Sequence, residues 1–71
     1  MRLLTIERER RGWTKAHLAR VAELNPSQVG LFESGRLIPY PGQLIKLAAA
    51  LEFAGEPTRL LEEVANGPLS A

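Results

Sequence analysis

Glycine and proline divide this 71-residue chain into short segments, and this punctuation limits what the chain can fold into. The segments between them repeat apolar residues every three or four positions, which is the spacing of a helix that buries one face. None shows the strict apolar-polar alternation and β-branched enrichment of a strand. The sequence therefore predicts an all-α fold, a compact bundle of about five short helices. We expect a single domain over residues 1–71, with 66–71 as a loose tail.

The expected helix ends follow from capping residues. Thr14 and Asn25 offer side-chain oxygens to the free amides of the second and third helices, and Pro26 suits the first helical position. Gly12 and Gly35 are expected to end the first and third helices, Gly35 in a left-handed conformation. The predicted helices cover about residues 2–11, 15–22, 26–33, 41 to 53–55, and 58–65. Their inward faces are expected to comprise Leu3, Ile6, Leu18, Ala19, Ala22, Val29, Phe32, Leu44, Leu47, Ala48, Leu51, Leu60, Leu61 and Val64.

Composition excludes several classes of protein. The chain has no cysteine, no aspartate and one histidine, so the usual acids, bases, nucleophiles and metal ligands are missing. We predict no enzymatic activity, no cofactor and no metal, with His17 an exposed helix residue. The longest apolar run, Leu47–Leu51, is far shorter than the ~20 residues of a membrane span. Glu7 comes too early for a secretory signal, so a soluble cytoplasmic protein is expected.

Charge is distributed unevenly although the net charge is only +1. Residues 1–36 carry seven basic and four acidic side chains, a balance of +3, whereas the remainder has a balance of −2. Such asymmetry favours a surface that faces a polyanion, although a mixed surface can also produce it by chance. Two helices of about eight residues joined by Glu23, Leu24 and Asn25 have the proportions of a helix-turn-helix, but helix-helix corners are common.

A set of short motifs, specific in its order and spacing, covers residues 4 to about 51. The motifs are Arg8, Arg11-Gly12-Trp13-Thr14, Leu18-Ala19, Leu24-Asn25-Pro26-Ser27-Gln28-Val29, Phe32-Glu33-Ser34-Gly35-Arg36, Pro39 and Leu44 to Leu51. By these motifs the chain resembles the Cro/C1-type helix-turn-helix family, the lambda-repressor-like domains of phage repressors, Cro proteins and many bacterial regulators. The resemblance implies a transcriptional regulator that binds double-stranded DNA.

The resemblance also implies roles for particular residues. The exposed start of the third helix would read base edges in the major groove, and both ends of the helix pair would contact phosphates. An arginine of the first helix would pair with the glutamate ending the third, here Arg8 with Glu33, although Arg10 is an alternative partner. The base-reading residues would be Pro26, Ser27, Gln28 and Leu31. The phosphate-contacting residues would be Thr14, Lys15, Asn25, Ser34, Gly35, Arg36 and Tyr40.

Each assignment has a simpler alternative. Lys15 and Arg36 could be solvated charges. The first role expected of Asn25 is to cap the helix, and contact with DNA is only the second. Gln28 has the chemistry to pair with adenine, yet such a side chain can also face water. Trp13 is expected to anchor the core more readily than to offer a stacking platform.

Two departures from the family pattern affect the function. Glu23 occupies a turn position usually given to glycine, at a cost of ~1 kcal/mol if it is left-handed. Pro26, Gly30 and Leu31 make the reading face poor in polar groups. A protein-interaction module, antitoxin-like or a co-regulator, is therefore the alternative to a DNA-binding regulator, with Gly30 and Leu31 against a protein partner.

The resemblance further implies a homodimer that reads two half-sites about one helical turn apart. The C-terminal third of the chain offers a candidate dimer surface in Phe53, Leu60, Leu61 and Val64. The same residues could equally close the core of one monomer. The operator, the effector and the choice between activation and repression are open at this stage.

Overall fold

The helices begin where the capping residues predict. The computed structural model describes residues 1–64, and the regular elements in this range are four α-helices and one 3-10 helix. Thr14 Oγ1 accepts from the amide of His17 at 3.0 Å, and Asn25 Oδ1 accepts from the amide of Ser27 at 2.9 Å. The all-α prediction is confirmed. The elements are α1 (Leu3–Arg10), α2 (Lys15–Ala22), α3 (Pro26–Ser34), α4 (Pro41–Ala50) and the 3-10 helix (Pro57–Leu61).

The core is formed where the apolar faces of these elements meet. Phe32 and Leu18 are completely buried, and the half-buried rings of Trp13 and Phe53 pack against the cluster. In α1 the buried apolar residues are Leu4 and Ile6; Ile6 was predicted, whereas Leu3, which the spacing also favoured, is only half-buried. The predicted inward faces of α2, α3 and α4 are confirmed. The cluster comprises Leu4, Leu18, Ala19, Ala22, Val29, Phe32, Leu47, Ala48, Leu51 and Leu60.

All four α-helices end in the same way. A left-handed residue follows each helix, and the next amide donates back to the carbonyl five residues earlier, as in a Schellman motif. In α2, for example, Leu24 donates to the Ala19 carbonyl at 2.7 Å, past Glu23 at φ 60°. Glycine fills this position after α1 and α3, and glutamate fills it after α2 and α4. The four residues and their φ angles are Gly12 (69°), Glu23 (60°), Gly35 (82°) and Glu52 (50°).

The C-terminal elements are shorter than the sequence indicates. α4 ends at Ala50, several residues before the predicted end, because Glu52 turns left-handed and Phe53 bonds back to Ala48. The predicted α-helix over 58–65 is wrong. A 3-10 helix stands in its place, and residues 62–64 are extended because their backbone pairs with residues 1–3, with Val64 donating to the Met1 carbonyl at 2.8 Å. The predicted loose tail, 66–71, lies outside the described residues.

Replacing Glu23 by glycine should raise the free energy of unfolding by about 1 kcal/mol, because glycine tolerates the left-handed backbone that strains an L-residue. Glu23 is exposed and left-handed, and so is Glu52, so Glu52→Gly should act in the same direction. Ala49→Gly, at an exposed right-handed helical position, should instead be destabilising. Urea denaturation measures all three. A loss of stability in both glutamate variants would contradict the prediction.

Candidate nucleic-acid interface

α3 is a helix with one side on the core and one side free. Val29 and Phe32 are completely buried, and they pack α3 against α2 and the rest of the core. At 100° per residue, the opposite side of the helix carries Ser27, Gly30, Leu31 and Ser34. Ser27, Leu31 and Ser34 are exposed and Gly30 is half-buried. The outer face of α3 is therefore small and smooth, with Leu31 as its one large side chain.

The N-terminus of α3 is capped by a side chain. Pro26 occupies the first helical position and is exposed, and Asn25 Oδ1 accepts from both the amide and the hydroxyl of Ser27, at 2.9 and 2.7 Å. Within residues 1–64 the side-chain NH₂ of Asn25 makes no hydrogen bond, so its donors face solvent. Asn25 thus caps the helix through its oxygen and keeps its nitrogen available to an external acceptor.

Lys15 connects the two helices of the pair. It is the first residue of α2, just after the Thr14 cap, and its Cδ lies 3.9 Å from the position that a Cβ on Gly30 would occupy. The aliphatic part of Lys15 therefore runs alongside the middle of α3. A Cβ on Gly30 would be at ordinary contact distance from Lys15, and sequence reasoning missed this proximity because it depends on a contact between helices.

The end of α3 differs from the ends of the other helices. After the left-handed residue, α1, α2 and α4 continue with Trp13, Leu24 and Phe53, which pack against the core as usual for this motif. The corresponding residue after α3 is Arg36, which is exposed. The closure of α3 thus directs a cation toward solvent, where the other helices direct an apolar side chain inward.

The other residues predicted to contact DNA differ in whether their polar groups already form hydrogen bonds within the chain. Ser34 donates its hydroxyl to the Leu31 carbonyl at 3.1 Å, and the Gly35 amide donates to the Phe32 carbonyl at 3.3 Å, so both donors are already used inside the chain. Tyr40, by contrast, is 75% exposed at the start of α4. Gln28 is half-buried and its side chain makes no hydrogen bond within residues 1–64. Within residues 1–64, the side-chain polar groups of Tyr40 and Gln28 are therefore the ones without a hydrogen bond.

The structure brings Arg8 and Glu33 together across the fold. Arg8 Nε donates to Glu33 Oε2 at 2.7 Å and Arg8 Nη2 to Oε1 at 3.1 Å, while Nη1 donates to the Trp13 carbonyl at 2.7 Å. Only 10% of the Arg8 side chain and 6% of the Glu33 side chain are exposed. The hydrogen bond to Glu33 raises the pKa of Arg8 above its ordinary value, so the guanidinium stays charged at any working pH. Arg10 pairs with Glu7 instead, at 3.1 Å.

Ion pairing separates the basic side chains into two groups. Five arginines lie within 4.0 Å of a carboxylate: Arg2, Arg8, Arg10, Arg11 and Arg59. Four cations have no such partner among the described residues, and two of them, Lys15 and Arg36, lie beside the middle of α3 and just after its end. Arg20 and Lys46, which sequence reasoning did not single out, are the other two. The excess positive charge therefore includes both flanks of α3.

Trp13 and His17 form a structural contact at the start of α2. The ring of Trp13 is half-buried on the core, as expected for an anchor, and meets the half-buried His17 ring edge-on with centroids 4.7 Å apart. His17 is thus less exposed than predicted. Within residues 1–64 there is no cluster of three or more side chains suited to hold a metal ion. No helix in the same range is long and apolar enough to cross a membrane.

Two helices joined by a three-residue turn, the second with an exposed outer face, define a helix-turn-helix domain. A family model described as a helix-turn-helix domain matches residues 2–61, and the chain belongs to this family. Comparison with curated proteins and with solved structures finds no match.

Proposed function

We propose that this protein is a DNA-binding transcriptional regulator of the Cro/C1 type that places α3 in the major groove. The observation that carries the proposal is the free outer face of α3 between two cations, Lys15 and Arg36, that have no acidic partner in residues 1–64. An α-helix fits the major groove, and cations on its flanks can neutralise the phosphates on either side.

The roles of individual side chains follow from their positions. Gln28 and Ser27, with Pro26 and Leu31, are proposed to face base edges; Leu31 can contact a thymine methyl and Gln28 can pair with adenine. Lys15 and Arg36 are proposed to bind phosphates. The free amide nitrogen of Asn25 and the exposed hydroxyls of Thr14 and Tyr40 are proposed as further donors. Ser34 and Gly35 would have to share donors that already bond within α3.

A gel-retardation series at increasing salt tests this function. Two phosphate-bound cations predict a slope of about −2 in log affinity against log salt for each bound domain, so the binding of one domain should weaken on the order of tenfold between ~50 and ~200 mM salt. Absence of any shift at low salt would favour the alternative, a protein-interaction module. The exposed apolar side chain of Leu31 on the outer face is the feature that would then contact the partner.

We further propose that the regulator acts as a homodimer, through a surface other than the one expected from sequence. Leu60 is completely buried in the monomer, Phe53 packs against the core, and Leu61 and Val64 are half-buried, so these four side chains contribute to closing one monomer. The loop before α4 and the first turns of that helix instead expose the apolar side chains of Leu37, Ile38 and Ile45, by 39 to 61%. These three side chains cover less area than the ~800 Å² that each partner buries in a standard interface. A weak dimer that forms on DNA fits this area.

Ile45→Gln should weaken cooperative binding to a palindromic duplex, because it places an amide in the proposed contact between two copies. Val21→Gln is the matched control: Val21 is also exposed, by 45%, but lies on α2. Sedimentation of each protein with the duplex gives the stoichiometry. Two copies per duplex and unchanged cooperativity for Ile45→Gln would exclude this surface.

A further inference from the structure

Arg2 is a buried cation whose hydrogen-bonding capacity is not used. It precedes α1, and only 13% of its side chain is exposed. Nε and Nη1 are buried without a hydrogen-bond partner in residues 1–64. The nearest carboxylate oxygen, Glu63 Oε2, is 3.7 Å from Nε, which is too long for a hydrogen bond, and the Glu63 side chain is 68% exposed. A guanidinium that loses water without gaining partners destabilises the fold.

The guanidinium of Arg2 lies against the end of α3. Its Nη2, Nε and Cζ atoms are 3.2, 3.7 and 3.8 Å from the position that a Cβ on Gly35 would occupy. Gly35 is the left-handed residue that closes α3, and Arg36 follows it. Glycine is favoured here by its φ of 82°, and a Cβ would also crowd the guanidinium of Arg2. The positive charge complements the C-terminal end of the helix dipole, but this contact supplies no acceptor for the buried N–H groups.

We propose that Arg2 is a phosphate-binding residue that acts together with Arg36 at the end of α3. The inference rests on the proposed function, because it requires DNA to pass this end of the helix. Nη2 is not among the buried atoms, makes no hydrogen bond within residues 1–64, and lies on the Gly35 side. A phosphate oxygen brought to the loop after α3 can accept a hydrogen bond from Nη2, the one nitrogen of this guanidinium that is not buried, and it supplies an anionic acceptor at hydrogen-bond distance that residues 1–64 do not. Arg2 and Arg36 then hold the DNA backbone from the two sides of Gly35.

In this role Arg2 lowers the stability of the fold and raises the affinity for DNA. Methionine has a similar length and needs no hydrogen-bond partner, so Arg2→Met should fold at least as stably as the original chain. The same change removes one phosphate contact. It should weaken DNA binding several-fold at low salt and reduce the salt slope by about one for each bound copy. Arg2→Lys keeps the charge and should retain most of the slope.

The experiment measures the melting temperature and the salt slope of Arg2→Met, Arg2→Lys and the control Arg59→Met, with a short duplex that the unmodified protein binds. Arg59 is exposed, in the 3-10 helix, and pairs only with Glu62, at 3.7 Å. Arg2→Met with a smaller slope and an unchanged or higher melting temperature supports the proposal. An unchanged slope, or a variant that is unfolded at the assay temperature, shows a purely structural arginine and overturns it. If the unmodified protein binds no duplex, the proposed function itself has failed, which is a distinct result.

Discussion

Glu33→Gln should lower the free energy of unfolding by about 3 kcal/mol, because it removes the counter-charge of a buried arginine while keeping the shape of the side chain. Arg8 would keep its bond to the Trp13 carbonyl but lose both carboxylate contacts. A domain of this size has a total stability of only about 4–10 kcal/mol. The variant should therefore melt far below the original chain, as thermal unfolding followed by circular dichroism will show.

Glu9→Gln is the matched control for this prediction. Glu9 also lies near Arg8, at 3.7 Å, but its side chain is 49% exposed, so its loss should cost only a few tenths of a kcal/mol. Exchanging the charges, Arg8→Glu with Glu33→Arg, should recover part of the stability that each single change removes. Equal and small effects of Glu33→Gln and Glu9→Gln, or no recovery in the exchanged pair, would show that the contact does not hold α1 to α3.

Lys15→Glu should weaken binding to DNA on the order of tenfold to a hundredfold at low salt, because it removes a phosphate contact and puts a carboxylate in its place. The salt slope should fall by about one for each bound copy. The fold should be little affected, since Lys15 is exposed and has no carboxylate partner among the described residues. Fluorescence anisotropy with a labelled duplex, over a salt series, measures both quantities.

Arg59→Glu makes the same change in charge at a different place. Arg59 is on the 3-10 helix, whose main contacts are with α1 and α4. It should reduce affinity only through the overall charge, by a small factor, and leave the slope almost unchanged. If both variants weaken binding equally, the attraction to DNA is a property of net charge and Lys15 has no specific contact.

The fold could be predicted from sequence wherever a local residue determines the geometry. Thr14, Asn25 and Pro26 mark helix starts because their side chains act on neighbouring amides, and Gly35 marks an end because left-handed backbone suits glycine. Glu52 closes α4 in the same left-handed conformation, but a glutamate side chain does not favour that conformation. The sequence therefore predicts a helix that is too long. The 3-10 helix was missed because the pairing of residues 62–64 with residues 1–3 is a contact between distant parts of the chain.

The candidate site could be predicted only in part, for the same reason. The order of the motifs placed Lys15, Gln28 and Arg36 around the second helix of the pair, but their freedom from ion pairs is a property of the folded chain. Arg2 illustrates the limit. Its sequence neighbours are Met1 and Leu3, and only the fold brings it against Gly35, 33 residues away.

Selection of bound sequences from a random duplex pool tests the central claim most directly, because it asks whether the exposed start of α3 reads bases. The account predicts an enriched consensus with two-fold symmetry, and Gln28→Ala should lose the preference at one base pair of each half-site while the other positions remain. A pool that shows no enrichment, or a consensus that Gln28, Ser27 and Leu31 substitutions all leave unchanged, would contradict it.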